Sequence, residues 1–390
     1  ILTTALDIIK ITYDSNEYTT LTGNGSMPYQ IVVSQDGNVY IALDYLAQYT
    51  ALQYSVEQEP LHIIINNQWG TKTFSNVIKE ESVRLDADIK SPILKKGAAG
   101  DKVTVLEQEE EWTKALTADG FFGYMKSNKL SDSYEDQVTS DFRTAEYTSI
   151  HKDYDMNLLW HQVTSQDSND ALAADIQDVK GVNVISPTWL SISSNDGEIS
   201  SLASSDYVDT AHQNDMEVWG LMDNFSTDID TDTVLGTTTS RENLEGQLIT
   251  EALNYQLDGI NIDIESLPEE TSESYVQFMR ELSVKCRNNN LVLSVDVPPP
   301  YSFNEHYSQK ELGEVVDYVI IMGYDEHYVG SDAGSVASLS YERDGITGTL
   351  ENVPKEKIIS GIPFYTRLWK TNASGEVSSE AIGMDKADQI

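Results

Sequence analysis

Residues 258–265 read Asp-Gly-Ile-Asn-Ile-Asp-Ile-Glu. From position 261 onward, every second residue is polar: an amide at 261 and carboxylic acids at 263 and 265. In a β-strand, alternate side chains share a face, so Asn261, Asp263 and Glu265 point one way and the isoleucines between them point the other. Two acids and an amide inside a protein are costly unless they are used or well paired. This segment therefore predicts a reactive site in which one carboxylic acid can donate a proton.

The segment alone leaves two other interpretations open. One is a buried polar network, in which the three groups only satisfy one another. The other is a metal site formed by Asn261, Asp263 and Glu265, which would need further oxygen ligands or histidines nearby. Nothing in the sequence requires such ligands, and the motifs imply no metal and no organic cofactor.

The chain around this segment alternates between strand-like and helix-like stretches from about residue 153 onward. Repeated strand–helix units predict an α/β fold with parallel strands, here a (β/α)8 TIM barrel with Glu265 at the carboxyl end of a strand. The strand-like runs are 156–160, 182–185, 218–222, 260–264, 291–297, 316–322 and 358–362. These are seven runs rather than eight, so we expect a barrel truncated before its last strand.

Three motifs follow one another at the predicted strand ends. The 258–265 segment resembles the DxxDxDxE motif of glycoside hydrolase family 18, the chitinases and related N-acetylglucosaminidases. Met322-Gly323-Tyr324-Asp325 resembles the MxYD motif of that family, and the 361–367 segment resembles its seventh strand. The resemblance covers about residues 155–390 and is greatest to the bacterial branch associated with spores and cell walls.

The resemblance implies a retaining mechanism without an enzymic nucleophile, in which the N-acetyl oxygen of the substrate attacks the anomeric carbon. It implies that Glu265 is the general acid, that Asp263 orients the acetamido group, and that Tyr324 hydrogen-bonds the acetamido oxygen. The substrate is then a polymer that contains N-acetylglucosamine, either peptidoglycan of the wall or spore cortex, or chitin. Residues expected to bind it are Asp325, Asp258, Trp369, Arg367, Tyr365, Trp189 and Asn224.

Asn261 departs from the family motif, which has Asp at this position. The family's Asp shares hydrogen bonds or a proton with the residue that corresponds to Asp263. Asn donates a hydrogen bond but carries no charge, so we expect a shifted pH profile rather than loss of activity.

The region before the barrel predicts two small domains and a linker. Residues 1–78 resemble the copper amine oxidase N-terminal-like domain, although no cluster of His or Cys is present to hold copper. Residues 79–133 contain short strands separated by Gly and Asp turns and resemble a bacterial SH3 domain, which implies binding of cell-wall peptides. Residues 134–152 are polar and predict a linker, and residues 153–390 form the predicted barrel domain.

Composition excludes several classes of protein. The net charge is −39, from 64 acidic and 25 basic residues, which opposes nucleic-acid binding through a basic face. The single cysteine, Cys286, excludes an intrachain disulfide and a cysteine-based zinc site. No apolar run approaches the roughly 18 residues of a transmembrane segment.

Three hypotheses follow, and we expect the first. It is a glycosidase outside the bacterial cell or at its surface or wall, tethered by a segment that precedes Ile1. The second is a catalytically inactive carbohydrate-binding or spore-structural protein on the same fold. The third is a metal-dependent hydrolase that uses the acids of residues 261–265 and is inhibited by a chelator.

Overall fold

The computed structural model describes residues 1–387 and 389, and the chain divides into two compact units. The larger unit comprises Ile1–Lys10, Thr19–Gly23 and Glu146–Ile390. The smaller unit comprises Ile11–Tyr18 and Asn24–Ala145.

Seven parallel strands form the main sheet of the larger unit, and each strand pairs with the next one in the chain. They are β1 (Leu158–His161), β2 (Val184–Ile192), β3 (Glu217–Asp223), β4 (Gly259–Asp263), β5 (Val292–Val297), β6 (Tyr318–Met322) and β7 (Ile358–Gly361). All seven overlap the strand-like runs of the sequence, so the predicted parallel α/β arrangement is confirmed. A short strand, Ile199–Ser201, pairs antiparallel with the end of β2.

Helices connect these strands as the strand–helix pattern predicts. They are α1 (Leu172–Asp175), α2 (Ser205–Gln213), α3 (Thr231–Gly236), α4 (Thr238–Asn254), α5 (Ser272–Asn288), α6 (Gln309–Val315) and α7 (Leu339–Leu350). Side chains that accept a backbone N–H begin several of them, as Ser204 does for α2 and Ser338 for α7. Such caps satisfy amide groups that the first helical turn leaves without a partner.

The core of the larger unit lies between the sheet and these helices. Ile260, Ile262 and Ile264 are buried there together with Phe278 and Leu282 of α5. Because side chains alternate along β4, the burial of the isoleucines outside the sheet turns Asn261 and Asp263 to its inner face. The sequence predicted this division of the strand, and the structure confirms it.

The structure differs from the predicted boundaries at both ends of the region before the barrel. Residues 1–10 belong to the larger unit, where Gln277 Nε2 of α5 donates a hydrogen bond to Thr3 Oγ1 at 2.7 Å. The end of the predicted linker also packs there, since the Ile150 amide donates to Asp317 Oδ1 at 2.6 Å. The start of that linker, Tyr134–Val138, is an edge strand. Its mostly exposed polar side chains carry no apolar alternation that would reveal it in the sequence.

An antiparallel sheet of seven strands dominates the smaller unit. In spatial order the strands are Ile93–Gly97, Glu81–Arg84, Phe122–Lys126, Trp112–Thr117, Lys102–Gln108, Gly70–Asn76 and Tyr134–Val138. Val83, Val103, Ala115 and Met125 are buried in its core. The sheet thus extends beyond both limits, 79 and 133, of the predicted SH3-like domain.

The remaining elements are short. They are the strands Leu2–Thr3, Ile8–Ile11, Glu17–Thr19, Asn24–Ser26, Val32–Gln35, Asn38–Ile41, Gln53–Gln58, Leu61–Asn66, Tyr365–Thr371 and Val377–Gly383, and the helices Leu43–Leu46 and Met384–Ala387. Tyr365–Thr371 and Val377–Gly383 form an antiparallel hairpin after β7. Within residues 1–387, no helix has both the length and the apolar character needed to cross a membrane.

Candidate active site

Asp263 is the last residue of β4 and lies at the carboxyl end of the sheet, as predicted. Only 8 % of its surface is exposed, and its Oδ1 atom has no hydrogen-bond partner among the described residues. Burial raises its pKa to about 7, and the nearby carboxyl groups of Glu265 and Asp223 act in the same direction. Asp263 is therefore a buried acid with a free acceptor, poised to change charge near neutral pH.

Glu265 lies two residues beyond the last residue of β4 and reaches solvent. Its backbone is held by Asn224, which directly follows the neighbouring strand β3. The Glu265 amide donates to Asn224 Oδ1, and Asn224 Nδ2 donates to the Glu265 carbonyl, both at 3.0 Å. Partial burial and the charges of Asp325 and Asp223 raise the pKa of Glu265. A carboxyl group with a raised pKa can keep its proton for donation at neutral pH.

Asn261 is fully buried on the same face of β4, two residues before Asp263, and its side chain makes three hydrogen bonds. Its Oδ1 accepts from Trp160 Nε1 of β1 and from Ser186 Oγ of β2, both at 3.1 Å. Its Nδ2 donates to Asp296 Oδ1 of β5 at 2.9 Å. The amide thus connects strands on both sides of β4, and its Nδ2 donates to Asp296 and not to Asp263 Oδ1.

Tyr324 and its neighbours lie after β6. The Tyr324 ring meets those of Trp160 and Tyr365 edge-on, with centroids 6.1 and 6.3 Å apart. Burial, together with nearby carboxyl groups, raises the pKa of Tyr324, so its hydroxyl remains protonated and able to donate. The Tyr365 hydroxyl donates to Asp325 Oδ1 at 2.8 Å, and Arg367 Nη2 lies 3.8 Å from the same atom. These four polar side chains belong to one cluster.

Comparison with known proteins shows which family this part of the chain resembles. Residues 219–389, which include Asp223, Asp263, Glu265 and Asp325, match the profile described as glycosyl hydrolases family 18. This part of the chain, less than half of its length, is similar to the glycosyl hydrolases of family 18.

Two curated proteins of Bacillus subtilis are similar to this chain. A protein named as a sporulation-specific glycosylase, YdhD, is 34% identical over 149 residues, which are 37% of this chain and 35% of that protein. The cortical fragment-lytic enzyme is 28% identical over 142 residues, which are 35% of this chain and 33% of that enzyme. The chain therefore matches about a third of the length of each relative.

A solved structure shares the fold of part of this chain. The spore cortex-lytic enzyme SleL of Bacillus megaterium QM B1551 superposes with a TM-score of 0.53 at 19% identity, over 65% of this chain and 60% of that one. This likeness supports the predicted TIM-barrel architecture.

Two residues expected to bind substrate lie elsewhere in the larger unit. Asp258 precedes β4 and accepts hydrogen bonds from His212 Nε2 and the Val218 amide, both at 2.8 Å. It is at the amino end of the sheet, opposite Glu265, so the prediction of substrate contact is wrong for it. Trp189 is 1 % exposed and packs outside the sheet against Tyr207 at 4.8 Å between ring centroids. Trp189 is therefore a core residue, not a sugar platform.

The remaining predicted ligands have structural partners. Trp369 and Arg367 belong to the hairpin after β7, where Trp369 Nε1 donates to the Gly334 carbonyl at 2.8 Å. Arg367 Nε is buried without a partner among the described residues. The amide of Asn224 is engaged by the Glu265 backbone and by Thr231 Oγ1, so Asn224 positions the acid rather than presenting a free group to sugar.

Sequence reasoning missed Ser186 and Asp296. Each is one of the polar residues at alternate positions of a buried strand, Val184–Ile192 or Val292–Val297. Such alternation indicates which side chains face the inside of the sheet, and it is the sequence signal that could have identified both residues. Among residues 1–387 and 389, no three His, Cys, Asp or Glu side chains are arranged to hold a metal ion.

We expect Asp258→Ala to lower stability without changing the acids at the other end of the sheet. The substitution leaves the Val218 amide without its acceptor, at a cost of about 1–3 kcal/mol in the free energy of unfolding. Asp258→Asn keeps an acceptor and should cost less. Urea unfolding measures both, and an NMR titration that shows a changed pKa for Asp263 in either variant would contradict the structural role.

We expect Asp223→Asn to lower the pKa of both Asp263 and Glu265. Asp223 is paired in register with Asp263, and its carboxyl charge raises both pKa values. Carbonyl ¹³C NMR titration should show the midpoint of Asp263 falling below about 7. The exposed Asp209→Asn on α2 removes an equal charge and serves as control. Unchanged midpoints in Asp223→Asn would mean that the two carboxyl groups do not sense this charge.

Proposed function

We propose that this protein is a glycosidase that hydrolyses β-1,4 bonds next to N-acetylglucosamine by a substrate-assisted, retaining mechanism. The family 18 domain supports the class of reaction. The observation that carries the proposal is the pair of acids at the end of β4. Asp263 is buried with a free Oδ1, and Glu265 lies two residues further with a raised pKa.

Glu265 acts first as general acid. Its proton passes to the glycosidic oxygen as the bond from that oxygen to the anomeric carbon breaks. The acetamido oxygen of the same sugar bonds to the anomeric carbon, which gives a cyclic oxazolinium cation. Water then attacks the anomeric carbon and breaks its bond to the acetamido oxygen, which restores the acetamido group, while the Glu265 carboxylate takes a proton from the water. Glu265 thereby returns to its acid form, and the anomeric configuration is retained.

Asp263 and Tyr324 act on the acetamido group. The Asp263 carboxylate accepts from the acetamido N–H and lies opposite the positive charge of the oxazolinium ion, in a buried position where such an interaction is strong. The Tyr324 hydroxyl donates to the acetamido oxygen and aims it at the anomeric carbon. Asp325, with Tyr365 and Arg367 around it, binds sugar hydroxyl groups, and Trp369 offers an aromatic face beside them.

The substrate we propose is peptidoglycan of the wall or spore cortex in preference to chitin. Two similar proteins are named for sporulation or for the cortex, which supports this choice. We also propose a location at the bacterial surface or wall, with residues 79–133 as a module that binds wall peptide. Pull-down of the 24–145 segment and of the full chain on peptidoglycan with and without its peptides tests that part separately.

The decisive experiment compares three substrates: purified cortex peptidoglycan, chitotetraose and fully de-N-acetylated chitotetraose. We expect cleavage of the N-acetylated substrates only, and NMR should show the β-anomer as the first product. Binding of both N-acetylated substrates by folded protein without cleavage would favour the inactive carbohydrate-binding alternative. Inhibition by EDTA that added metal reverses would favour the metal-dependent hydrolase instead.

A further inference from the structure

Asp296 is a buried carboxyl group beside Asp263 that none of the three sequence motifs includes. It lies on β5, which pairs with β4 so that Ile262 is opposite Val295. Asp263 and Asp296 are the next residues of the two strands, and adjacent strands lie about 4.8 Å apart. Only 1 % of the Asp296 surface is exposed.

The amide of Asn261 fixes which groups Asp296 can meet. Because Asn261 Oδ1 already accepts from Trp160 Nε1 and Ser186 Oγ, its Nδ2 is the end that faces β5 and donates to Asp296 Oδ1. One oxygen of Asp296 is thereby occupied as an acceptor. Asp263 Oδ1 receives no hydrogen bond from Asn261 and has no partner among the described residues.

The surroundings of Asp296 favour its neutral form. The charged groups that act on it are carboxylates, Asp263 and Glu265, with Asp223 acting on Asp263 from β3. The other titratable groups are the hydroxyls of Tyr324 after β6 and Tyr275 of α5. Within the part of the chain that the structure describes, no Lys, Arg or His forms an ion pair or hydrogen bond with Asp263 or Asp296. Burial and the charge of Asp263 raise the pKa of Asp296 well above its ordinary value.

We propose that Asp296 is a positioning residue: as a neutral acid it donates its O–H to Asp263, a donor that position 261 does not supply. The inference rests on the proposed function, in which Asp263 must be charged when the oxazolinium ion forms. A donor to the charged form of an acid stabilises that form and lowers its pKa. Asp296 thus keeps Asp263 ionised at a lower pH and holds its carboxylate towards the acetamido group.

Two substitutions at the same position separate this role from packing. Asp296→Leu removes the donor, whereas Asp296→Asn keeps a donor and an oxygen that can accept from Asn261. In Asp296→Leu we expect the midpoint of Asp263 in a carbonyl ¹³C NMR titration to rise by at least one unit from about 7. The acid limb of the pH profile of kcat/KM should move by the same amount, which lowers kcat/KM at pH 6 about tenfold.

The matched control is Ser294→Ala, two residues earlier on the same strand and face, because Ser294 Oγ is buried without a partner among the described residues. Asp296→Asn and Ser294→Ala should both retain the midpoint and profile of the unmodified protein. Equal midpoints in Asp296→Leu and the unmodified protein would overturn the proposal, as would a shift of the same size in Asp296→Asn. The NMR midpoint is read without substrate, so an absence of hydrolysis would count against the proposed function and leave this test intact. If Asp296→Leu does not fold, Asp296→Ala takes its place.

Discussion

Glu265→Gln is expected to lower kcat on chitotetraose or cortex fragments by a factor of about 10²–10⁴, the usual contribution of a positioned general acid. Gln matches the shape of the protonated acid but cannot transfer a proton to the leaving oxygen. The Gln side chain, like the protonated acid, carries no charge, so KM should change little. The backbone bonds between Asn224 and residue 265 do not involve the substituted side chain, so the position of residue 265 should be preserved.

The matched control is Glu269→Gln, which makes the same change four residues later on an exposed side chain. This variant should keep the kcat of the unmodified protein. Stopped assays with both variants at equal concentration measure the effect. A substrate with a good leaving group, such as a nitrophenyl glycoside, should recover much of the loss in Glu265→Gln because its oxygen needs no proton. If Glu265→Gln retains more than a tenth of kcat on the oligosaccharide, Glu265 is not the acid.

Asp263→Asn is expected to abolish most activity and at the same time to stabilise the folded protein above neutral pH. The pKa of Asp263 is raised to about 7 in the folded chain, whereas an unfolded Asp titrates near its ordinary value of 3.8. The folded state therefore binds the proton more tightly, and stability falls as pH rises between these two values. Above pH 7 the charged carboxylate costs up to about 4 kcal/mol, which the Asn side chain avoids.

Urea unfolding at several pH values measures this difference. The stability gained in Asp263→Asn should be small below pH 4, grow up to pH 7 and then remain constant. Asp178→Asn, on an exposed turn after α1, should shift the free energy of unfolding by less than about 0.5 kcal/mol at any pH. A gain in Asp263→Asn that is independent of pH would show that packing rather than charge is the cause.

Periodicity predicted which face of each strand is polar more reliably than which residues meet the substrate. The alternation in residues 258–265 placed Asn261 and Asp263 correctly on the inner face. The resemblance implied a substrate contact for Asp258 that this residue does not make, because a motif written as letters does not show where a strand begins. Trp189 fails for another reason: Ser186 of β2 faces inward, so Trp189, three residues further, faces outward and its indole packs against Tyr207 of α2.

Contacts between distant residues set the limits of prediction. Asp296 is 33 positions from Asp263, and only the register of β4 with β5 makes them neighbours. The two hydrogen bonds between Asn224 and the Glu265 backbone likewise join residues that follow β3 and β4, and the sequence alone does not show the register of these strands. In the smaller unit, the edge strand Tyr134–Val138 owes its position to pairing with Gly70–Asn76, since its own side chains carry no apolar signal.

The hydrogen bonds of Asn224 have a consequence for inactivation by heat. Glu265 lies past the end of β4, so the backbone ladder of the sheet does not hold it, and a single side-chain amide does so instead. That amide is itself anchored to Thr231 at the start of α3, on a connection with exposed residues on either side. Exposed connections open at lower free energy than core strands. The acid should therefore lose its position, and the protein its activity, at temperatures below those that melt the barrel.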